Sequence, residues 1–370
     1  MGDQGTDSGV TGLKRGDVEG LCRQRRPMLH CWFQVLLGLV LVVLFFSLSS
    51  SLLSSWSPFP LHEHYQKFWN MTQELQLFQS DKALPTVAPT GSQYHEAYPR
   101  NYHFIMDNKE VCETRTPFLV LMVPVAPSNV GARDAIRQTW GNSSIVRGEV
   151  VLTLFMLGLS GGDGVEQQQE KLKQENLQHY DLIQSDFMDT YINLTIKTMV
   201  IMDWLATRCQ TAAYAMKIDS DMFLNIDNLV TMLQMPVIPK ENYLTGMLMW
   251  DRPVVRSKDS KWYVSEELYP EPLYPTYTLG MGYVFSNDLP EKFVAVSKST
   301  KPFHIEDAYI GMCMKKLGLA PTSAPNPSQF KAYNVKYDRC EYSKIITYIL
   351  ATSQELINYW NDLHKPEPPC

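Results

Sequence analysis

The sequence has no CxxC cysteine pair and no internal repeat. The first absence removes the usual zinc-site spacing. Basic charge is not in excess either. Lys and Arg total 33 against 39 acidic residues, a net charge of -6, so there is no nucleic-acid footprint. Charged residues make up only 19% of the 370, against 45% hydrophobic. That composition supplies a sizeable core and argues against wholesale disorder. Acid is missing altogether between Leu21 and Trp56.

That acid-free stretch holds the longest apolar run, Trp32 to Leu53, with Arg23, Arg25 and Arg26 just before it. A run of this kind matches the roughly 20 residues a helix needs to cross a bilayer. Positive charge stays on the cytoplasmic side, which sets a type II topology. The alternative is a cleaved signal peptide ending in the Ser-rich 47–55 segment, but the apolar stretch exceeds the usual h-region. The expected organisation is a cytoplasmic tail over 1–31, a transmembrane signal-anchor over 32–54 and a lumenal stem over 55–101. A compact domain follows over 102–370. The stem carries prolines at 58, 60, 85, 89 and 99, and residues 63–79 allow a short helix. Sequons at Asn70, Asn142 and Asn193 agree with a lumenal bulk. Of the seven cysteines, Cys112, Cys209, Cys313, Cys340 and Cys370 fall in the compartment where disulfides persist. Cys112–Cys209 and Cys313–Cys340 are the pairs expected, with Cys370 left over at a Pro-rich terminus. Four cysteines allow three pairings, and the sequence does not choose.

Within the compact domain, Phe118–Val123 and Val150–Leu157 read as strands buried on both faces. Helices are expected over 129–140, 167–177, 196–207 and 305–317, and strands at 182–183 and 212–218. The alternation is an α/β pattern. Beyond Leu244 the order is less regular, and prolines at 253, 270, 272 and 275 suggest covering loops.

Four groups of residues carry chemistry. Asp219 and Asp221, in Lys217-Ile218-Asp219-Ser220-Asp221, follow an apolar strand. In extended geometry both would point to one face, which suits a hard divalent cation at the ligand-binding edge of an α/β sheet. Such a pair also occurs as a plain solvated turn. Arg133 and Arg137 share a helix face and suit phosphate or a uracil edge; Arg137 paired with Asp134 is the bland alternative. Glu306-Asp307 opens a helix, where acids serve the helix dipole, or where one carboxylate acts as a general base. The aromatic stretch from Trp250 through Trp262, Tyr263, Tyr269, Tyr274 and Tyr277 to Gly280-Met281-Gly282-Tyr283 suits sugar C–H faces, although such clusters are more often packing.

Taken in order, these blocks resemble the β1,3-glycosyltransferase family of β1,3-galactosyltransferases and β1,3-N-acetylglucosaminyltransferases. The matching segments are Arg133–Gly141, Asp186–Thr198, Lys217–Asp221, Gly280–Tyr283 and Glu306–Gly311. The resemblance implies an α/β fold of the GT-A type and inversion at the anomeric carbon. It implies Mn²⁺ on Asp219 and Asp221, Asp307 as the base, and Arg133, Arg137, Lys197 and Asp219 on the donor side. It implies UDP-galactose as donor, a glycoprotein or glycolipid glycan as acceptor, and residence in the Golgi membrane, and it leaves a homo-oligomer open. Transfer of N-acetylglucosamine instead, or a lumenal pseudoenzyme, are the alternatives. Two departures stand out. Ser220 replaces an acid common in the family, which bears on donor preference. Thr278 stands where relatives often carry cysteine, which removes one disulfide.

Overall fold

The computed structural model describes residues 101–332 and 336–370. The expected membrane span, the stem, the Asn70 sequon, Cys22 and Cys31 lie outside these residues. Among the described residues no helix is long and apolar enough to cross a membrane.

The chain opens with β1 (Phe104–Met106) and the one-turn α1 (Glu110–Glu113). β2 (Leu119–Pro124) follows, and its first five residues are buried. α2 (Val130–Arg137) starts at Asn129, whose side chain accepts a hydrogen bond from the Ala132 amide at 3.2 Å. That cap satisfies one of the first-turn N–H groups. β3 (Ile145–Val146) turns back into β4 (Glu149–Leu159). α3 (Val165–His179) buries only Leu172, which accounts for its polar sequence. β5 (Leu182–Met188) runs on well past the two residues expected of it.

A 3-10 turn (Tyr191–Asn193) leads into α4 (Leu194–Arg208), a helix apolar on nearly all sides and buried accordingly. β6 (Tyr214–Ile218), β7 (Met222–Leu224) and α5 (Ile226–Leu233) come next. Two strands then lie where the sequence suggested irregular structure, β8 (Leu244–Met249) and β9 (Tyr277–Ser286). α6 (Leu289–Ser297), α7 (Glu306–Lys316), α8 (Arg339–Lys344), β10 (Thr347–Ile349) and α9 (Ser353–Leu363) complete the domain.

The main sheet has the order β1-β5-β4-β2-β6-β9-β8, with β3 paired to β4. β5, β4, β2 and β6 are parallel; β1, β9 and β8 are antiparallel to their neighbours. The fold is mixed α/β, as the alternating pattern implies. From β2 the chain builds outward through β4 to β5, then returns to place β6 on the other side of β2. The carboxyl ends of β2 and β6 therefore flank a topological switch point, where open α/β sheets bind ligands. Leu119 through Val123 are fully buried, and each such side chain contributes about 1.5–3 kcal/mol to holding this layer.

A small second sheet, β7 with β10, closes the far side of the turn after β6. It is tied down by the Trp140 indole N–H, which donates to the Met222 carbonyl at 3.1 Å, and by the Leu350 amide, which donates to the Asp221 carbonyl at 2.9 Å. Tyr342 packs on Phe223 and Tyr348 beneath it, and Tyr337 stacks on Tyr359.

Cys112–Cys209 forms as expected. The second disulfide is Cys340–Cys370, not Cys313–Cys340. The Pro-rich tail is not a loose end. The Arg339 guanidinium donates to the carbonyls of Lys365, Glu367 and Pro368, which folds the tail back onto α8. Cys313 is buried on α7, outside both disulfides. The Asn142 sequon is exposed. The Asn193 side-chain Nδ2 donates to the Met188 carbonyl at 2.9 Å.

Candidate active site

Asp219 and Asp221 leave the end of β6 in a turn closed by the Met222 amide on the Asp219 carbonyl at 3.3 Å. This corrects the extended geometry expected of them. The chain must reverse into β7, so a bend rather than strand alternation sets where the two carboxylates go. Both remain accessible: the Asp219 side chain is 35% exposed and Asp221 lies at the surface. Even so, protein packed around the Asp221 carboxyl, with the charge of Asp219, pushes it up to about 6.

Lys217, two residues earlier, is the hub. It is 4% exposed. Its ammonium donates to Asp219 Oδ1 at 2.6 Å, to Glu306 Oε1 at 3.0 Å and to the Gly280 carbonyl. Burial opposes that charge, but the carboxylates of Asp219 and Glu306 overcome it and hold the ammonium well above its ordinary range. Glu306 is itself fixed from the other side: the Thr198 hydroxyl donates to Oε2 at 3.2 Å and the Tyr283 hydroxyl at 3.1 Å. A buried carboxylate held by three donors is a brace, not a free acid.

Asp307, the next residue on α7, accepts the Gly280 amide on Oδ2 at 3.0 Å and the Ala308 amide on Oδ1 at 2.8 Å. Burial first, then the charge of Glu306, pushes it up to about 7; the two amides pull the other way. β9 must pass very close for this contact. A Cβ on Gly280 would lie 2.7 Å from Glu306 Oε1 and 3.2 Å from Asp307 Oδ2, so no larger residue fits without moving the helix. One residue thus touches both carboxylates and, through its carbonyl, Lys217.

The remaining expected residues are engaged within the protein. Lys197 is 3% exposed and donates to both Asp189 oxygens at 2.9 and 2.7 Å and to the Val125 carbonyl at 2.9 Å. Asp189 also accepts the Gly158 amide, which ties the loops after β2 and β5 to the end of β4. Arg133 is fully buried; it forks onto Glu175 at 2.6 and 2.7 Å and donates to the Ala126 and Pro127 carbonyls. Arg137 forks onto Asp181 at 2.8 Å, reaches Glu175 and Asp134, and lies over the Phe155 ring. The shared helix face is real. It turns toward α3 and the start of β5, and Arg133 props the loop that follows β2. Helical spacing shows which residues align, not which element they meet.

Lys217, Thr198, Tyr283 and Asp189 stood inside the matching segments with no role assigned to them. A lysine ending an apolar strand was the signal available, because a buried cation requires partners. Among the described residues no group of three or more His, Cys, Asp or Glu gathers as a metal cage. The two accessible carboxylates fit the alternative: Mg²⁺-like cations are held by one or two carboxylates, the rest of their shell coming from phosphate and water.

The paired acids at the switch point are thus linked, through Lys217 and Gly280, to the raised carboxyl of Asp307. The chain belongs to the galactosyltransferase family, whose model matches residues 131–325, and it is a glycosyltransferase. It is 43% identical over 287 residues to human beta-1,3-galactosyltransferase 2, covering 76% of this chain and 68% of that one. It is 38% identical over 266 residues to mouse beta-1,3-galactosyltransferase 1, covering 72% of this chain and 79% of that one. Among solved structures, the apo WbbM bifunctional glycosyltransferase aligns with a TM-score of 0.39 at 11% identity, over 68% of this chain and 50% of that one. A likeness at that level says nothing of function.

Proposed function

We propose that the chain is an inverting β1,3-galactosyltransferase of the GT-A type. It moves galactose from UDP-galactose to the 3-hydroxyl of an N-acetylglucosamine-terminated glycan, on glycoprotein or glycolipid. The observation that carries this is the link from Asp219 through Lys217 to Gly280 and Asp307. It supports a base and a cation site joined through one lysine and one glycine. The beta-1,3-galactosyltransferase relatives support the sugar and the linkage.

Asp219 and Asp221 would hold a divalent cation such as Mn²⁺, which neutralises charge on a departing diphosphate. Lys217 orients Asp219 and keeps Glu306 from repelling the incoming anion. Lys197 and Arg133 act on the donor side by fixing the loops around Val125 and Asp189, with Arg137 supporting them. Asp307, with a carboxyl near pH 7, takes the proton of the acceptor 3-hydroxyl. The acceptor oxygen attacks the anomeric carbon of galactose from the face opposite UDP. The carbon–oxygen bond to the diphosphate breaks, UDP leaves with the electron pair, and the α-linked donor becomes a β-galactoside. The acceptor hydroxyl takes the place water has in an inverting glycosidase.

The Trp32–Leu53 run and the arginines before it support a single-pass type II anchor in the Golgi membrane, with 102–370 as the lumenal catalytic domain. The test is transfer by the purified full-length chain in Mn²⁺, with UDP-galactose and UDP-N-acetylglucosamine offered separately to β-linked N-acetylglucosamine and galactose acceptors. Galactose transfer that stops with EDTA and in Asp221→Ala is the expected result. N-acetylglucosamine transfer would change the donor, and a folded chain with no transfer to any acceptor would refute the enzyme reading.

A further inference from the structure

Near Asp307 stands a group of side chains that the mechanism above does not use. Tyr191 stands on the 3-10 turn before α4 and is 43% exposed, unusual for a large ring beside a buried site. The Lys261 ammonium lies 5.6 Å from the centre of that ring and 4.6 Å from the centre of the Trp262 ring. One cation is therefore shared by two aromatic faces, which fixes their mutual placement. Both elements are latched to the start of the base helix. His304, three residues before Asp307, donates from Nε2 to the Lys261 carbonyl at 2.9 Å, and its ring centre is 6.4 Å from that of Tyr191. The Thr195 hydroxyl donates to the Phe303 carbonyl, joining the segment after Tyr191 to the same place.

The loop that presents Trp262 is rigid for a physical reason. Arg256 donates to the carbonyls of Val264, Tyr269 and Glu271, and Tyr269 and Tyr274 pack on Phe303 behind it. Nearness to the base has an independent sign: after burial, the charge of Asp307 is the next cause that raises the Tyr191 hydroxyl.

We propose that Tyr191 and Trp262, spaced by Lys261, form the platform on which the terminal pyranose of the acceptor stacks, presenting its 3-hydroxyl to Asp307. This rests on the galactosyltransferase reading. The class of ligand is a neutral β-hexosaminide. Its axial C–H groups make an apolar face that matches an aromatic ring, and its hydroxyl edge faces the carboxylate. Tyr191 and Trp262 then set acceptor affinity and leave the donor untouched.

The experiment measures KM for methyl β-N-acetylglucosaminide and for UDP-galactose, and the rate of UDP-galactose hydrolysis without acceptor, in the full-length chain. Tyr191→Ala and Trp262→Ala should each raise the acceptor KM about tenfold or more, with donor KM and hydrolysis unchanged. Tyr191→Phe keeps the ring and should stay near the wild type. A Tyr191→Ala acceptor KM within twofold of wild type, or a donor KM that rises in parallel, overturns the platform. Saturation-transfer NMR of the same glycoside, with UDP and Mn²⁺ present, gives a readout that needs no turnover. Ring-proton signals lost in Tyr191→Ala uphold the platform even if the wild type transfers no galactose. Signals absent in the wild type, or unchanged in the variant, overturn it.

Discussion

Replacing Asp307 by asparagine separates catalysis from stability in opposite directions. A carboxyl raised from its ordinary 3.8 to about 7 destabilises the ionised folded form by about 4 kcal/mol at full strength. Asp307 is only half-buried, so solvent screening reduces that figure. Asparagine also weakens the contacts to the Gly280 and Ala308 amides, which returns roughly 1–2 kcal/mol. A net gain of about 1–2 kcal/mol remains for Asp307→Asn at pH 8. The folded carboxyl holds its proton more tightly than the unfolded one, so the wild type loses stability as pH rises from about 4 to about 7. The gain from asparagine is therefore full above pH 7, less than half at pH 5, and absent below pH 4. Urea unfolding of both proteins at pH 5 and pH 8 reads this directly. Turnover should fall by about 100-fold or more, as expected when a general base is removed. A variant less stable than wild type by the same amount at both pH values would refute the electrostatic reasoning. Turnover within tenfold of wild type would refute the base.

Gly280→Ala should cost activity more than stability. The added methyl meets Glu306 Oε1 at 2.7 Å, so α7 must shift, at roughly 1–3 kcal/mol, and Asp307 shifts with it; a crystal structure of the variant with its kinetics checks both. Wild-type transfer should rise with pH through an acid limb near 7, where the Asp307 carboxyl ionises, and a pH–rate profile flat from 5 to 8 would contradict this. Arg133→Ala should destabilise the domain by about 3 kcal/mol or more, because it leaves Glu175 partly buried without its fork, and denaturant midpoints measure it. Cys340→Ser should lower stability by about 3 kcal/mol through release of a 30-residue loop, and non-reducing peptide mapping of the wild type should recover Cys340 joined to Cys370.

The parallel half of the fold was legible because β2 is an unbroken apolar run and β4 is one interrupted only by Thr153 between Val150 and Leu157. β8 and β9 were not. Tyr277–Ser286 carries Thr278, Ser286 and two glycines, and Gly280 is there for the approach to α7, not for strand propensity. The aspartates of the site could be picked out singly from spacing, but Lys217 as the partner that joins Asp219 to Glu306 and Gly280 could not, since its role depends on β9 lying beside β6. The arginines failed in another way. Arg133 and Arg137 align as the i, i+4 rule requires, yet their partners Glu175 and Asp181 are about 40 residues away and no local pattern points to them. The tail disulfide was hidden for a similar reason, because Arg339 binding backbone carbonyls leaves no trace in side-chain chemistry.

The pairing of β6 with β9 has one further consequence. Lys217 lies opposite Tyr283 and Ile218 opposite Gly282, and the Asp219 amide continues the ladder onto Met281. A slip of a single residue would turn every side chain of β9 to the other face. The segment from Gly280 to Tyr283 therefore tolerates no change of length. The stretch between β8 and β9 is under no such constraint, since only its ends enter the ladder. Loops of other sequence could be grafted between Met249 and Tyr277, at the loss of the Trp262 platform, over strands whose register stays locked. The molecule separates the part that can be re-edited from the part that must be copied unchanged.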